Sequence, residues 1–271
     1  MAQLLYGAPV ADEVRAQALE LIRPLGLRPL LAVVRTGADP DDRAYEKSIR
    51  AACAKCGVDV WTAELPAFAP QDALVRAARR IGRDEAIHGV IVMCPRQYDL
   101  GLIAAAVGRD KDVDGAGFAE GGVFVPCTAE AVAALLDYYG VECAGKKVTV
   151  VGRGAVTGAP AAALLADRGA DVSVCHSRTE NPAELCREAD ILVCTAGRAG
   201  LIGADRMRPG QVIVDVGINL SPEGKLCGDC DFDAARRIAA AVTPVPGGVG
   251  AVTPYLLALH TARAAAERRK L

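Results

Sequence analysis

Short apolar runs alternate with amphipathic stretches along this chain, and together they divide it into two series of elements. In the first series, residues 10–23 carry apolar side chains at helical spacing and predict an amphipathic helix. Residues 29–34 predict a strand that stops at Thr36-Gly37. A helix over 41–56, a strand over 58–63 and a helix over 71–81 follow. Residues 89–93 are apolar throughout, as a strand buried on both faces requires, and Pro95 ends the run. This β-α-β-α-β order implies a parallel sheet with right-handed crossovers.

The second series opens with a helix over 130–139. Strands are expected at 148–151, 172–175, 190–194, 212–216 and 240–242, and a last helix at about 251–270. Two α/β lobes with a cleft between them are the expected architecture. Glycines crowd over 115–122 (GAGFAEGG) and mark the boundary. The last helix has no strand after it and is expected to return to the first lobe. The expected division is therefore 1–120 plus 252–271 against 121–251.

Composition narrows the class. The chain has 271 residues, 52% hydrophobic and only 4% aromatic, so its core must be built from Ala, Val, Leu and Ile. A net charge of −2 argues against a general nucleic-acid binder. No apolar run approaches the length of a membrane span. Met1-Ala-Gln-Leu-Leu shows neither a basic n-region nor a cleavage site, and the expected location is the cytoplasm. Of the ten cysteines, Cys53/Cys56 and Cys227/Cys230 have CxxC spacing. The two pairs lie far apart, no histidine is near either, and Cys53 and Cys56 fall in a predicted helix. No metal site is expected from them.

The candidate chemistry begins at VTVVGRGAVTGAP (148–160), where a strand enters a glycine turn that opens an alanine-rich helix. This geometry places a pyrophosphate on free N–H groups at a helix N-terminus, and glycine lets the backbone approach it. The spacing Gly152-x-Gly154-x-x-x-Gly158 also suits a plain turn between a strand and a helix. After the next strand come His176, Ser177 and Arg178, where an NAD site usually carries an acid. Ser177, Arg178 and Arg153 suit a 2′-phosphate instead, which reads as NADP; an ordinary polar loop has the same composition.

Eight strings extend the picture: ADPDDRAYEKSI (38–49), KDVDG (111–115), FVPCTAEAV (124–132), VVGRGAVTGAP (150–160), CHSRT (175–179), VDVGIN (214–219), GDCDF (228–232) and PVPGGVGAVT (244–253). In this order the chain resembles the methylenetetrahydrofolate dehydrogenase/methenyltetrahydrofolate cyclohydrolase family over essentially its whole length. The resemblance implies an N-terminal α/β folate lobe, a C-terminal Rossmann-type NADP lobe and a homodimer. It also implies hydride transfer from 5,10-methylenetetrahydrofolate to NADP and, in bifunctional members, hydrolysis of the methenyl product to 10-formyltetrahydrofolate. Tyr45, Asp114, Gly247, Gly248 and Val249 match folate-binding positions. Asp114 would accept from the pterin amino group and ring N–H together, and Tyr45 would pack on the aminobenzoyl ring. Arg153 and Ser177 match positions for the 2′-phosphate, and Gly152, Gly158 and Thr195 match the backbone turns around the dinucleotide; Gly154, His176, Arg178 and Ile218 are further cofactor-side candidates. The family usually has GRS where this chain has Gly152-Arg153-Gly154, which removes one hydroxyl donor near the phosphates.

The largest departures concern hydrolysis. The resemblance places a lysine four residues after the tyrosine, on one helical face with it; here the position is Ile49. A glutamine in a VQLPLP string is Met93 here. Hydrolysis needs a group to manage the proton and charge of a positioned water, which neither side chain can be. Hydride transfer needs only orientation and a dry site. The expectation is a dehydrogenase with cyclohydrolase activity absent or severely weakened. Three alternatives stand beside it: a retained bifunctional enzyme, a two-lobed dehydrogenase of shikimate type, and a non-catalytic folate or NADP sensor.

Overall fold

In the computed structural model, which describes residues 1–95 and 97–269, the apolar runs become parallel strands flanked by helices. The chain forms two compact units, one of Asp12–Cys127 with the chain from Pro254 onward, the other of Met1–Ala11 with Thr128–Thr253.

The Asp12–Cys127 unit is built on a three-stranded parallel sheet of β2 (Leu30–Thr36), β3 (Asp59–Leu65) and β4 (Gly89–Met93), in the order β3-β2-β4. The central strand is the most buried, with Leu31 to Val34 fully enclosed. Helix α1 (Gly7–Ile22) precedes β2 in the sequence, and helix α2 (Pro40–Cys56) links β2 to β3. Its start is set by Asp39, whose side chain accepts from the Asp41 N–H at 2.9 Å, and by Pro40 in the first turn. Gly57, at φ +80°, ends it in the left-handed conformation. The inward face of α2 carries Ile49, Ala52, Cys53 and Cys56. Helix α3 (Gln71–Arg83) leads into β4, and α4 (Leu100–Val107) follows it. The last helix, α9 (Thr253–Arg268), belongs to this unit from Pro254 onward, as its lack of a following strand suggested. His260 and Thr261 of α9 lie against Val113 and Gly89. The expected end of this helix at Lys270 lies outside the described residues.

The other unit holds a six-stranded parallel sheet in the order β1-β11-β8-β7-β5-β6. Its strands are β1 (Gln3–Leu4), β5 (Lys147–Val151), β6 (Asp171–Cys175), β7 (Ile191–Cys194), β8 (Val212–Asp215) and β11 (Ala241–Val242). A short antiparallel pair, β9 (Asn219–Leu220) with β10 (Leu226–Cys227), lies between β8 and β11 in the sequence. Residues 1–11, expected in the first lobe, instead join the second sheet: β1 pairs with β11 (Gln3 with Ala241, Leu4 with Val242). A strand of two residues is too short to show a period in the sequence. Helices α5 (Cys127–Tyr138), α6 (Gly158–Asp167), α7 (Pro182–Glu188) and α8 (Phe232–Ile238) connect the strands.

Candidate active site

From β5 the chain adds β6 on one side, then crosses back to place β7 on the other. Ligands of open parallel sheets bind at such a reversal, outside the carboxyl ends of the strands. Gly152 follows β5 there, and Thr195 follows β7. They are in close contact: a Cβ built on Gly152 would lie 2.5 Å from Thr195 Oγ1 and 2.8 Å from its carbonyl oxygen. Gly152 also has φ +120°, outside the range of other residues. A Cβ on Gly158, the first residue of α6, would lie 2.4 Å from the Gly152 carbonyl oxygen and 2.9 Å from Thr195 Oγ1. Both glycines are therefore required by close backbone approach. Gly154 differs, since nothing lies within 4 Å of a Cβ there.

Register brings two of the remaining cofactor candidates, Arg153 and His176, to neighbouring strand ends. Val151 pairs with Cys175, and the Gly152 N–H donates to the Cys175 carbonyl at 2.8 Å. The loop after β6 is a closed turn. The Thr179 hydroxyl accepts from the His176 N–H at 2.9 Å, and His176 Nδ1 accepts from the Arg178 N–H at 3.1 Å. Arg153, Ser177 and Arg178 are all exposed, which leaves them open to a phosphate group. Ile218, after β8, is 68% exposed, with its Cδ1 3.9 Å from a Cβ built on Gly250. Gly247, Gly248 and Val249 follow β11, and the Gly247 carbonyl accepts from the Gly7 N–H at 2.8 Å.

The folate candidates Tyr45 and Asp114, with Ile49 and Met93, all belong to the Asp12–Cys127 unit. Asp114 is half-buried and follows Val113 in a turn closed by Gly115 at φ +75°. Behind it, the carbonyl of Val113 accepts from His260 Nδ1 at 2.7 Å and from the Cys127 thiol at 3.4 Å. A carbonyl partner at that distance puts the proton on Nδ1. Phe124 packs on the His260 ring with centroids 4.9 Å apart. Burial, reinforced by the Asp112 charge, raises the Asp114 carboxyl to about 6, while His260 and the Cys127 thiol oppose the rise. Sequence reasoning did not single out His260, because a lone histidine in an apolar helix carries no motif.

Ile49 is fully buried and Met93 is 7% exposed. The position in register with Met93 on β2 is Arg35, also unremarked in the sequence. Its guanidinium, 5% exposed, donates to Glu46 at 3.2 Å, to Glu64 at 2.8 Å and to the Gly37 carbonyl. Glu46 is further tied to Arg50 at 3.0 Å and to Thr62 Oγ1 at 2.5 Å. Arg35 and Arg50 are thus paired with carboxylates, and Lys47 is exposed. Gln97 is also exposed, and its neighbour Arg96 lies outside the described residues. Burial pushes the thiols of Cys53 and Cys56 up to about 12 and about 11, so neither is a nucleophile at neutral pH.

The comparisons with known proteins cover both units. A family model for the tetrahydrofolate dehydrogenase/cyclohydrolase NAD(P)-binding domain matches residues 126–269, and one for the catalytic domain of the same enzymes matches residues 5–114. The chain belongs to the tetrahydrofolate dehydrogenase/cyclohydrolase family. The bifunctional protein FolD of Carboxydothermus hydrogenoformans is 41% identical, with 97% of each chain covered. Among solved structures, the bifunctional FolD methylenetetrahydrofolate dehydrogenase/cyclohydrolase of Campylobacter jejuni superposes with a TM-score of 0.92 at 32% identity, covering 99% of this chain and 100% of that one. The Trypanosoma brucei enzyme, solved with NADP and an inhibitor, gives 0.89 at 35% identity, covering 99% and 98%. The α/β architecture with a parallel-sheet dinucleotide unit is that of these solved enzymes, and the NAD(P)-binding family model over residues 126–269 supports NADP as the cofactor. No helix among the described residues is long and apolar enough to cross a membrane.

Proposed function

We propose that this protein oxidises 5,10-methylenetetrahydrofolate to 5,10-methenyltetrahydrofolate by hydride transfer to NADP, and that it hydrolyses the product weakly or not at all. Asp114 accepts from the pterin donors and Tyr45 stacks on the aminobenzoyl ring, which together orient the methylene carbon. Gly152, Gly158 and Thr195 shape the bed for the dinucleotide, with Ile218 as a further cofactor contact, and Gly247 to Val249 are folate-binding positions. Arg153, Ser177 and Arg178, with His176 shaping their turn, take the 2′-phosphate. The chain works as a homodimer in this reading. The dehydrogenase part is supported most directly by the Gly152–Thr195–Gly158 contact at the sheet reversal. Initial rates with methylenetetrahydrofolate and either NADP or NAD test it: NADP is expected to give the lower KM, and reduction of neither would end the reading.

The weak hydrolysis rests on Ile49 and Met93, both buried and neither able to hold or move a proton. The second reading, a bifunctional enzyme, is the one the relatives' names favour, since those relatives are called bifunctional. The two part on one substitution pair. Ile49→Lys with Met93→Gln is expected to raise methenyltetrahydrofolate hydrolysis by at least roughly tenfold if proton management is what is missing. A bifunctional wild type would gain little. A third variant concerns the cofactor. Gly154 lies in open space, so Gly154→Ser fits without displacement. It is expected to lower the NADP KM about two- to tenfold, the worth of one hydrogen bond, as read from an NADP titration at saturating folate.

A further inference from the structure

Two fully enclosed carboxylates, Asp215 and Asp229, stand among the strand ends of the dinucleotide unit, and no role in catalysis or binding falls to them so far. Asp229 is the more heavily bonded. It accepts from the N–H groups of Ala196, Gly197 and Arg198 at 2.7, 3.0 and 2.7 Å, and from Asn219 Nδ2 at 2.9 Å. Three consecutive N–H groups of the loop after β7 therefore converge on one side chain. Asp215 in turn accepts from the N–H groups of Gly217, Asp229 and Cys230 at 3.0, 3.0 and 2.9 Å. The Asp215 N–H donates to Thr243 Oγ1 at 2.7 Å. The two acids thus tie together the chain segments that leave β7, β8 and β11. The fit is tight, since a Cβ on Gly217 would lie 2.1 Å from Asp229 Oδ1 and one on Gly228 2.0 Å from Asp215 Oδ2.

The consequence falls on Thr195, the residue immediately before the anchored loop. Its N–H and hydroxyl both bond the Val151 carbonyl, at 2.8 and 3.1 Å, and its side chain sits against Gly152 and Gly158. Once the next three N–H groups are drawn inward, Thr195 has no freedom to swing away from the glycine turn. Those same N–H groups are also withheld from any bound anion. Phosphate recognition is then left to the β5–α6 turn and the basic residues beside it. We infer that Asp229 is a positioning residue for the cofactor: it fixes the loop after β7 so that Thr195 and the glycine turn form one preorganised bed. Asp215 orients Asp229 from behind. This rests on the NADP reading of the unit.

The test measures NADP binding to the full-length protein by nucleotide fluorescence, alongside KM for both substrates, in wild type, Asp229→Asn and Asn219→Ala. Asp229→Asn turns an acceptor-only group partly into a donor facing N–H groups. The expected result is an NADP Kd raised roughly tenfold or more, with the KM for methylenetetrahydrofolate within about twofold of wild type. Asn219→Ala removes one of the four donors and should raise the NADP Kd about two- to fivefold in the same direction. It decides the matter if Asp229→Asn fails to fold by thermal melting. An unchanged NADP Kd in both variants, or equal rises in both KM values, would overturn the inference. A wild type that binds no NADP would instead overturn the cofactor reading beneath it.

Discussion

Asp114→Ala is expected to lower kcat/KM for methylenetetrahydrofolate on the order of a thousandfold while leaving NADP affinity unchanged. A carboxylate that accepts two donors from one ligand contributes two charge-assisted bonds, and each is worth about 1.5–3 kcal/mol when its partner is otherwise left unpaired. The same group sets a pH dependence. Burial holds the Asp114 carboxyl at about 6 in the free protein, above the ordinary carboxylate range. Donors from the pterin favour the ionised form, so folate binding lowers that value. Above pH 6 the carboxylate is ready and affinity is level. As pH falls through about 6, folate must displace a proton to bind, and its KM rises about tenfold for each further pH unit. Asp114→Asn cannot ionise and should lose this dependence along with most of the affinity. Folate KM measured from roughly pH 5 to 8 in wild type and Asp114→Asn checks both parts.

Gly152→Val is expected to abolish measurable NADP binding. Position 152 has φ +120°, where a β-branched residue costs several kcal/mol, and its Cβ would lie 2.5 Å from Thr195 Oγ1. Relief requires moving either β5's exit or the loop after β7, and both form the cofactor bed. Even Gly152→Ala should raise the NADP Kd by about a hundredfold. Gly154→Ala, two residues on in open space, should bind NADP nearly as well as wild type. The contrast within one turn separates a steric requirement from a general intolerance of change, provided that thermal melting shows both variants folded.

How far the sequence could be read depends on what each feature needs. Strand 89–93 was legible because five consecutive apolar residues have few other uses, and its observed bounds are Gly89–Met93. The glycine turn was legible because close backbone approach leaves a mark in residue type. Helix α4 was not, since LGLIAAAV is apolar all round and shows no face; its one signal is Asp99, whose side chain caps the Leu102 N–H at 3.0 Å. Helix α8 likewise follows a cap, Asp231, that the string GDCDF contained. The charged interior around Arg35 could not be read, and although VDVGIN and GDCDF contain Asp215 and Asp229, their bonding to one another's segments could not be read either. Their partners lie 11 and 29 residues away for Arg35 and 31 to 33 for the loop bonds of Asp229, and only folding brings such groups together. Ile49 and Met93 show the reverse case. Nothing in their own packing marks them, and only the resemblance reveals that polar residues are missing.

Whether Ile49 and Met93 have removed hydrolysis is tested, without the redox step, by supplying methenyltetrahydrofolate alone to the wild-type protein. 10-Formyltetrahydrofolate is expected to appear at the spontaneous rate, independent of protein concentration, while the same preparation reduces NADP with methylenetetrahydrofolate. Formation of the formyl product in proportion to protein, at a rate comparable to NADP reduction, would contradict this and establish the bifunctional enzyme.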